Sequence, residues 1–118
     1  LYANVGMLMT IKEDAGKILL FIYDSNVNDK DSVSPEKLLE ITKWDGNRID
    51  RAIQHLKDID AIDITFMLGD VNGLRNFLFE KVTPIGTGMI ENKRKFKQNF
   101  GFEVNLGLLK FSWGTSEK

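Results

Sequence analysis

Apolar and polar positions recur with different periods along this chain, and each change of period marks a new element. From Ile11, apolar residues return at Ala15, Ile18, Leu19 and Ile22. That spacing of about 3.6 predicts a helix ending near Tyr23. Leu20 and Phe21 lie off the stripe, so burial on more than one side is expected. Thr10 is placed to cap this helix, Glu13 would complete a capping box, and Asp14 adds negative charge to the first turn. Residues 1–9 show no period and are expected to form an arm. Residues 24–33, DSNVNDKDSV, read as a polar loop whose side chains compete with helical hydrogen bonding.

Ser34-Pro35 is a helix start, with serine as cap and proline at the first helical position. The second helix should run from Pro35 to about Thr42, with Leu38, Leu39 and Ile41 to bury. Thr42, Lys43 and Trp44 make a turn, and Asp45 is placed to cap a third helix over Gly46–Asp58. Ile49, Ala52, Ile53 and Leu56 fall within one arc of that helix at about 100° per residue. Asn47, Arg51, Gln54, His55 and Asp58 point the other way, with Arg48 on the flank.

The period then changes to two. Residues 61–68 alternate Ile62, Ile64 and Phe66 against Asp63, Thr65 and Met67. Residues 76–82 alternate Phe77, Phe79 and Lys81 against Leu78, Glu80 and Val82. Asn72-Gly73 between them is the pair that hairpin turns favour. Thr83-Pro84 starts a further helix, expected to continue through Met89 and Ile90 to about Asn99. Phe102, Val104, Leu106 and Leu108, then Leu109, Phe111 and Trp113 on the other parity, read as a terminal strand that something should cover.

Helix, turn, helix, hairpin and closing helix in this order resemble the winged helix-turn-helix superfamily, in its small prokaryotic and phage forms. The residues that carry the resemblance are SPEKLLEITKW, DGNRIDRAIQHLKDIDAIDI and LFEKVTPIGTGMIEN. Asp60-Ala61-Ile62 departs from the family, which has a Gly step there. The resemblance implies an α+β, mainly α, fold: a winged helix-turn-helix with a two-stranded wing, a C-terminal helix and a terminal β extension. The division expected is an arm over 1–9, the winged-helix domain over 10–99, and an extension over 100–118 outside the superfamily core, whose apolar residues on both faces suit a dimer interface formed by this strand, the first helix, or both.

The resemblance also makes Gly46–Asp58 the helix that enters the major groove of double-stranded DNA. Asn47, Arg48, Arg51, Gln54 and His55 would meet base edges, since Arg pairs with guanine and Asn or Gln with adenine. Arg75 on the wing, and Lys93, Arg94, Lys95 and Lys97, would hold phosphates. The function implied is that of a dimeric DNA-binding transcriptional regulator. Such proteins usually bind paired half-sites as two-fold dimers.

Charge changes this picture. The 118 residues carry a net charge of −1, with pI near 5.8, whereas a nucleic-acid domain is usually basic. Residues 24–63 hold ten acidic and six basic side chains, a net of −4. Residues 91–100 hold four basic side chains and Glu91, a net of +3. The alternative is therefore a winged-helix interaction or dimerisation module that binds no nucleic acid.

The remaining chemistry is sparse. With no cysteine and one histidine, His55, neither a thiolate metal site nor a His-paired nucleophile is expected. No enzyme activity, cofactor or metal is expected. Asp29, Asp31 and Ser32 lack the glycine and closing glutamate of a calcium loop, and Gly86-Thr87-Gly88 lacks the P-loop lysine. No apolar run approaches the ~18–20 residues of a membrane span, and LYANVGMLM lacks the basic flank of a secretory signal. A cytoplasmic location fits these features. Leu1 is not an initiator residue, as in a trimmed chain or a fragment.

Overall fold

The computed structural model describes residues 2–27 and 33–106, with side-chain surroundings for 11–25 and 33–106. Along them run α1 (Tyr2–Val27), α2 (Pro35–Thr42), α3 (Gly46–Asp58), β1 (Ile62–Val71), β2 (Leu74–Val82), α4 (Pro84–Glu91) and α5 (Lys93–Phe100). The class is α+β and mainly helical, with one two-stranded antiparallel sheet among the described residues. This arrangement is compatible with a winged helix.

The segment α2–turn–α3 forms for the local reasons its sequence suggests. Ser34 accepts a hydrogen bond from the Lys37 amide at 3.1 Å, and Pro35 occupies the first turn of α2. Lys43 then takes φ 60°, the left-handed conformation that ends a helix, and its amide reaches the Leu39 carbonyl. Thr42, fully buried, ties the turn: its hydroxyl donates to the Leu38 carbonyl at 2.8 Å and accepts from the Trp44 amide at 3.1 Å. Asp45 stands at the cap position of α3, but its side chain makes no capping bond, so the expected cap there is supplied by position alone.

Core packing centres on α1 and α3. Ala15, Ile18, Leu19 and Ile22 of α1 and Ile49, Ala52, Ile53 and Leu56 of α3 are all fully buried. Each large one is worth about 1.5–3 kcal/mol relative to exposure. Hairpin residues Ile62, Ile64, Leu74 and Phe77 close the core from one side, and Ile90, Phe96 and Phe100 close it from another.

The hairpin turn has the expected chemistry. Asn72 and Gly73 both have positive φ, 53° and 92°, as a two-residue turn of the I′ kind requires. The strands are less regular than their alternation implies. Phe66 pairs with Phe77 and Asp70 with Arg75, so Met67, Leu68 and Gly69 on β1 face Asn76 alone. A second irregularity at Glu80, between the pairs Ile64–Phe79 and Asp63–Lys81, returns Val82 to the buried face.

Four expectations need correction. Helix α1 begins at Tyr2, not at a Thr10 cap, so residues 2–9 are helix where an arm was expected; Leu, Ala and Met are good helix formers and no proline interrupts them. It also runs on to Val27, into the expected loop; residues 28–32 lie outside the described residues. The closing helix is broken in two at Asn92, which adopts φ −118° and ψ 108° and caps α5 by accepting from the Lys95 amide at 3.0 Å. Finally, residues 102–105 form no strand. Left-handed Gly101 ends α5, and Phe102 turns back to meet Phe96 edge-on at 5.2 Å. Phe102 thus spends its apolar surface on α5. The rest of the expected β extension, including Trp113, lies outside the described residues.

Candidate nucleic-acid interface

Helix α3 presents its outward face between two neighbours, and an arginine–aspartate pair fastens it to each. On one flank, Arg48 donates to Asp14 of α1 through Nε at 2.8 Å and Nη2 at 3.0 Å. The same guanidinium lies 3.9 Å above the Trp44 ring. Asp14 is 3 % exposed, and a carboxylate that dry needs a fork of this kind to satisfy both oxygens.

On the other flank, Asp50 accepts from Arg75 three times: backbone amide at 2.9 Å, Nε at 3.0 Å and Nη2 at 3.0 Å. Arg75 also donates to Gln54 Oε1 at 2.8 Å and stacks 4.0 Å over Phe66. Gln54 in turn donates to Asp58 Oδ1 at 2.8 Å. The hairpin tip completes this flank. A Cβ added to Gly46 would come within 2.0 Å of the Asn72 carbonyl oxygen, and one added to Gly73 within 2.7 Å of Asn47 Oδ1. The turn therefore sits on the first residues of α3.

Between these flanks lies a strip of α3 containing Asn47, Arg51, His55 and Asp58. Arg51 is exposed and makes no side-chain hydrogen bond or ion pair with the described residues. A shallow cavity of about 300 Å³ opens beside it, lined also by Ile11, Gln54 and His55. Of the five residues nominated as base readers, Arg48 and Gln54 are held in intramolecular contacts; Asn47, Arg51 and His55 remain on the strip. Arg75, nominated for phosphate, is held against Asp50.

His55 is half-buried and its pKa lies below the ordinary histidine value. Burial is the main cause and the positive charge of Lys12 adds to it; Asp58 acts in the opposite direction. A folded-state pKa lowered in this way favours the neutral imidazole. Its contribution to stability is present above the unfolded value, about 6.5, and is lost as pH falls through the folded one. His55→Gln should therefore lose less stability than the parent chain between about pH 7 and pH 5, read as the change in melting temperature. An identical slope for both chains would contradict this.

The four residues of the basic cluster lie elsewhere. Helix α1 packs against both α3 and α5. Asp14 reaches α3, while Gly16 lies under Phe100 of α5, 2.7 Å from a Cβ built on it. Two residues apart on a helix is a rotation of about 200°, so these two contacts leave α1 from different faces. Lys93, Arg94, Lys95 and Lys97 are exposed on α5, and none of them lines the cavity beside Arg51.

The two flanking pairs escaped the sequence reading. They join positions 34 and 25 residues apart, and no local pattern announces a contact of that range. Among the described residues, no helix is long and apolar enough to cross a membrane and no cluster of acidic and histidine side chains could hold a metal ion. The sequence matches no family model, no curated protein and no solved structure.

Proposed function

We propose that this chain is a winged-helix DNA-binding protein whose base-reading surface is the strip Asn47–Arg51–His55 of α3, with Arg51 as its principal contact. The observation that carries this reading is an exposed arginine, unpaired among the described residues, centred on a helix that both neighbours hold. Arg48 and Arg75 then serve as positioning residues. They fix α3 against α1 and the hairpin, and they neutralise Asp14 and Asp50, acids that would otherwise repel phosphate. The mechanism is docking and readout, with no catalytic residue and no cofactor. A two-fold dimer placing two such helices on paired half-sites belongs to the same reading, and a solution mass counts the subunits.

Low-salt fluorescence polarisation with random-sequence duplex tests it. The parent chain should bind, and its affinity should fall steeply as salt rises. Arg51→Glu should weaken binding about a hundredfold or more, since it removes a bidentate donor and adds a repelling charge. Absence of binding at low salt, or equal binding by the variant, would overturn the assignment.

A specific observation favours the second reading, a winged-helix interaction module that binds no nucleic acid. Met67, Leu68 and Leu78 of the hairpin are 50 %, 97 % and 57 % exposed, an apolar group in contact with solvent. Retention of a protein partner by Arg51→Glu, together with no DNA binding by the parent, would select it.

A further inference from the structure

The charge on α5 is arranged as a site. Residues 91–105 hold four basic side chains against Glu91 and Glu103, a net of +2, while the rest of the chain holds twelve basic and fifteen acidic, a net of −3. Three of the four cations, Lys93, Arg94 and Lys95, occupy the first turn of α5, where the helix dipole opposes positive charge. Local stability alone would put acids there.

The two nearby carboxylates leave most of that charge uncompensated. Glu91 is turned toward α1, where it accepts from the Tyr23 hydroxyl at 2.9 Å. This bond, with burial and the negative charge, raises the Tyr23 pKa. Glu103 pairs with Lys97 at 3.3 Å, an exposed contact easily exchanged. The side chains of Lys93, Arg94 and Lys95 have no hydrogen bond or ion pair among the described residues.

Lys93, Arg94 and Lys97 line one cavity of about 580 Å³ together with Glu103, Val104 and Asn105. Positions 93, 94 and 97 share a face of α5 by their spacing, and Lys95 does not line the cavity. Among the described residues that line it, Glu103 is the one carboxylate.

We infer that this cavity is a phosphate-binding site, sharing no lining residue with the cavity beside Arg51, in which Glu103 occupies the place of the anion until a phosphate group displaces it from Lys97. Arg94 offers the forked donor set that matches phosphate oxygens, and Lys93 and Lys97 add point charges on either side. The ligand is a phosphate ester or anhydride, either free or within a nucleic-acid backbone. The site does not depend on the α3 reading, because Arg51 is not part of it.

The test is titration of the full chain at low salt with tripolyphosphate and, separately, with a twelve-nucleotide thymidine oligomer, followed by backbone amide shifts. Saturable shifts confined to α5 and residues 101–105 are expected. Binding of tripolyphosphate alone indicates a free phosphate as ligand; tighter binding of the oligomer indicates a backbone. Arg94→Glu should lose tenfold or more in affinity. Lys95→Glu, the same change of charge one residue outside the cavity, should lose no more than about twofold. Glu103→Gln should bind several-fold tighter, since it releases Lys97 and removes the competing carboxylate. Arg51→Glu should leave the tripolyphosphate affinity unchanged, since Arg51 lies outside this cavity. Absence of binding by either ligand, equal losses at Arg94 and Lys95, or no gain from Glu103→Gln would each overturn the inference.

Discussion

Gly46→Ala is expected to cost about 3 kcal/mol or more, because it forces one backbone segment off another. The new methyl group would lie 2.0 Å from the Asn72 carbonyl oxygen and 2.7 Å from its carbon. Neither atom belongs to a side chain that can rotate away. The turn cannot yield locally either, because Asn72 and Gly73 are already committed to positive φ and the next residue, Leu74, is fully buried. The hairpin must lift from α3, and that movement strains the Asp50–Arg75 contacts immediately behind it. Urea denaturation measures the loss. A midpoint equal to that of the parent chain would mean that the tip does not rest on α3. If the chain binds DNA as proposed, that binding should weaken together with stability, since the Asn47 side chain lies against the same turn.

Phe100→Ala is expected to cost about 3–5 kcal/mol, as usual for a fully buried aromatic ring. Phe100 is 0 % exposed, lies 4.8 Å from the Phe96 ring at a tilt of 49°, and covers Gly16 of α1. Its ring holds α5 to α1, so the cavity left behind would open the seam between them. On a domain whose total stability is about 5–15 kcal/mol, such a loss should lower the melting temperature by about 12 °C or more. Phe100→Leu, which keeps most of the volume, should cost far less. Equal melting temperatures for Phe100→Ala and the parent would show that α5 is not docked where the structure places it.

The elements that could be read from the sequence are those fixed by neighbours in the chain. Ser34-Pro35 and Thr83-Pro84 combine an oxygen acceptor with a preset φ, so the starts of α2 and α4 are local events. The stripe Ile49, Ala52, Ile53 and Leu56 delimits α3, and Asn72-Gly73 is one of few pairs able to take two positive φ values in succession. The features that escaped depend on distant partners. Asn92 reads as an ordinary helical residue until Phe96 and Phe100 must both face α1, which sets the direction of α5 and with it the break.

Polar opposition on α3 identified the outward face correctly as a geometric matter, since it needs only a helical period. It set Arg48 on the flank of that face, but it did not show that Asp14 and Trp44 hold it there. The contact with Asp14 arises from where α1 lies. Over residues 102–105 the alternation misled for a related reason: Phe102 folds back on the preceding helix.

The irregular pairing at Met67–Leu68–Gly69 bears on how these molecules behave at high concentration. A two-stranded sheet leaves unpaired amide and carbonyl groups along its margins, and a straight, apolar margin is a template for adding a strand from another molecule. Three residues of β1 opposite one of β2, with Leu68 almost wholly in solvent, bend that margin so that no long run of it stays in register for a second chain. Deleting Met67 and Leu68 would restore one-to-one pairing and straighten the margin. The shortened chain should then self-associate with rising concentration, visible by sedimentation velocity, where the parent hairpin does not. The exposed leucine is on this view the visible part of a safeguard against polymerisation.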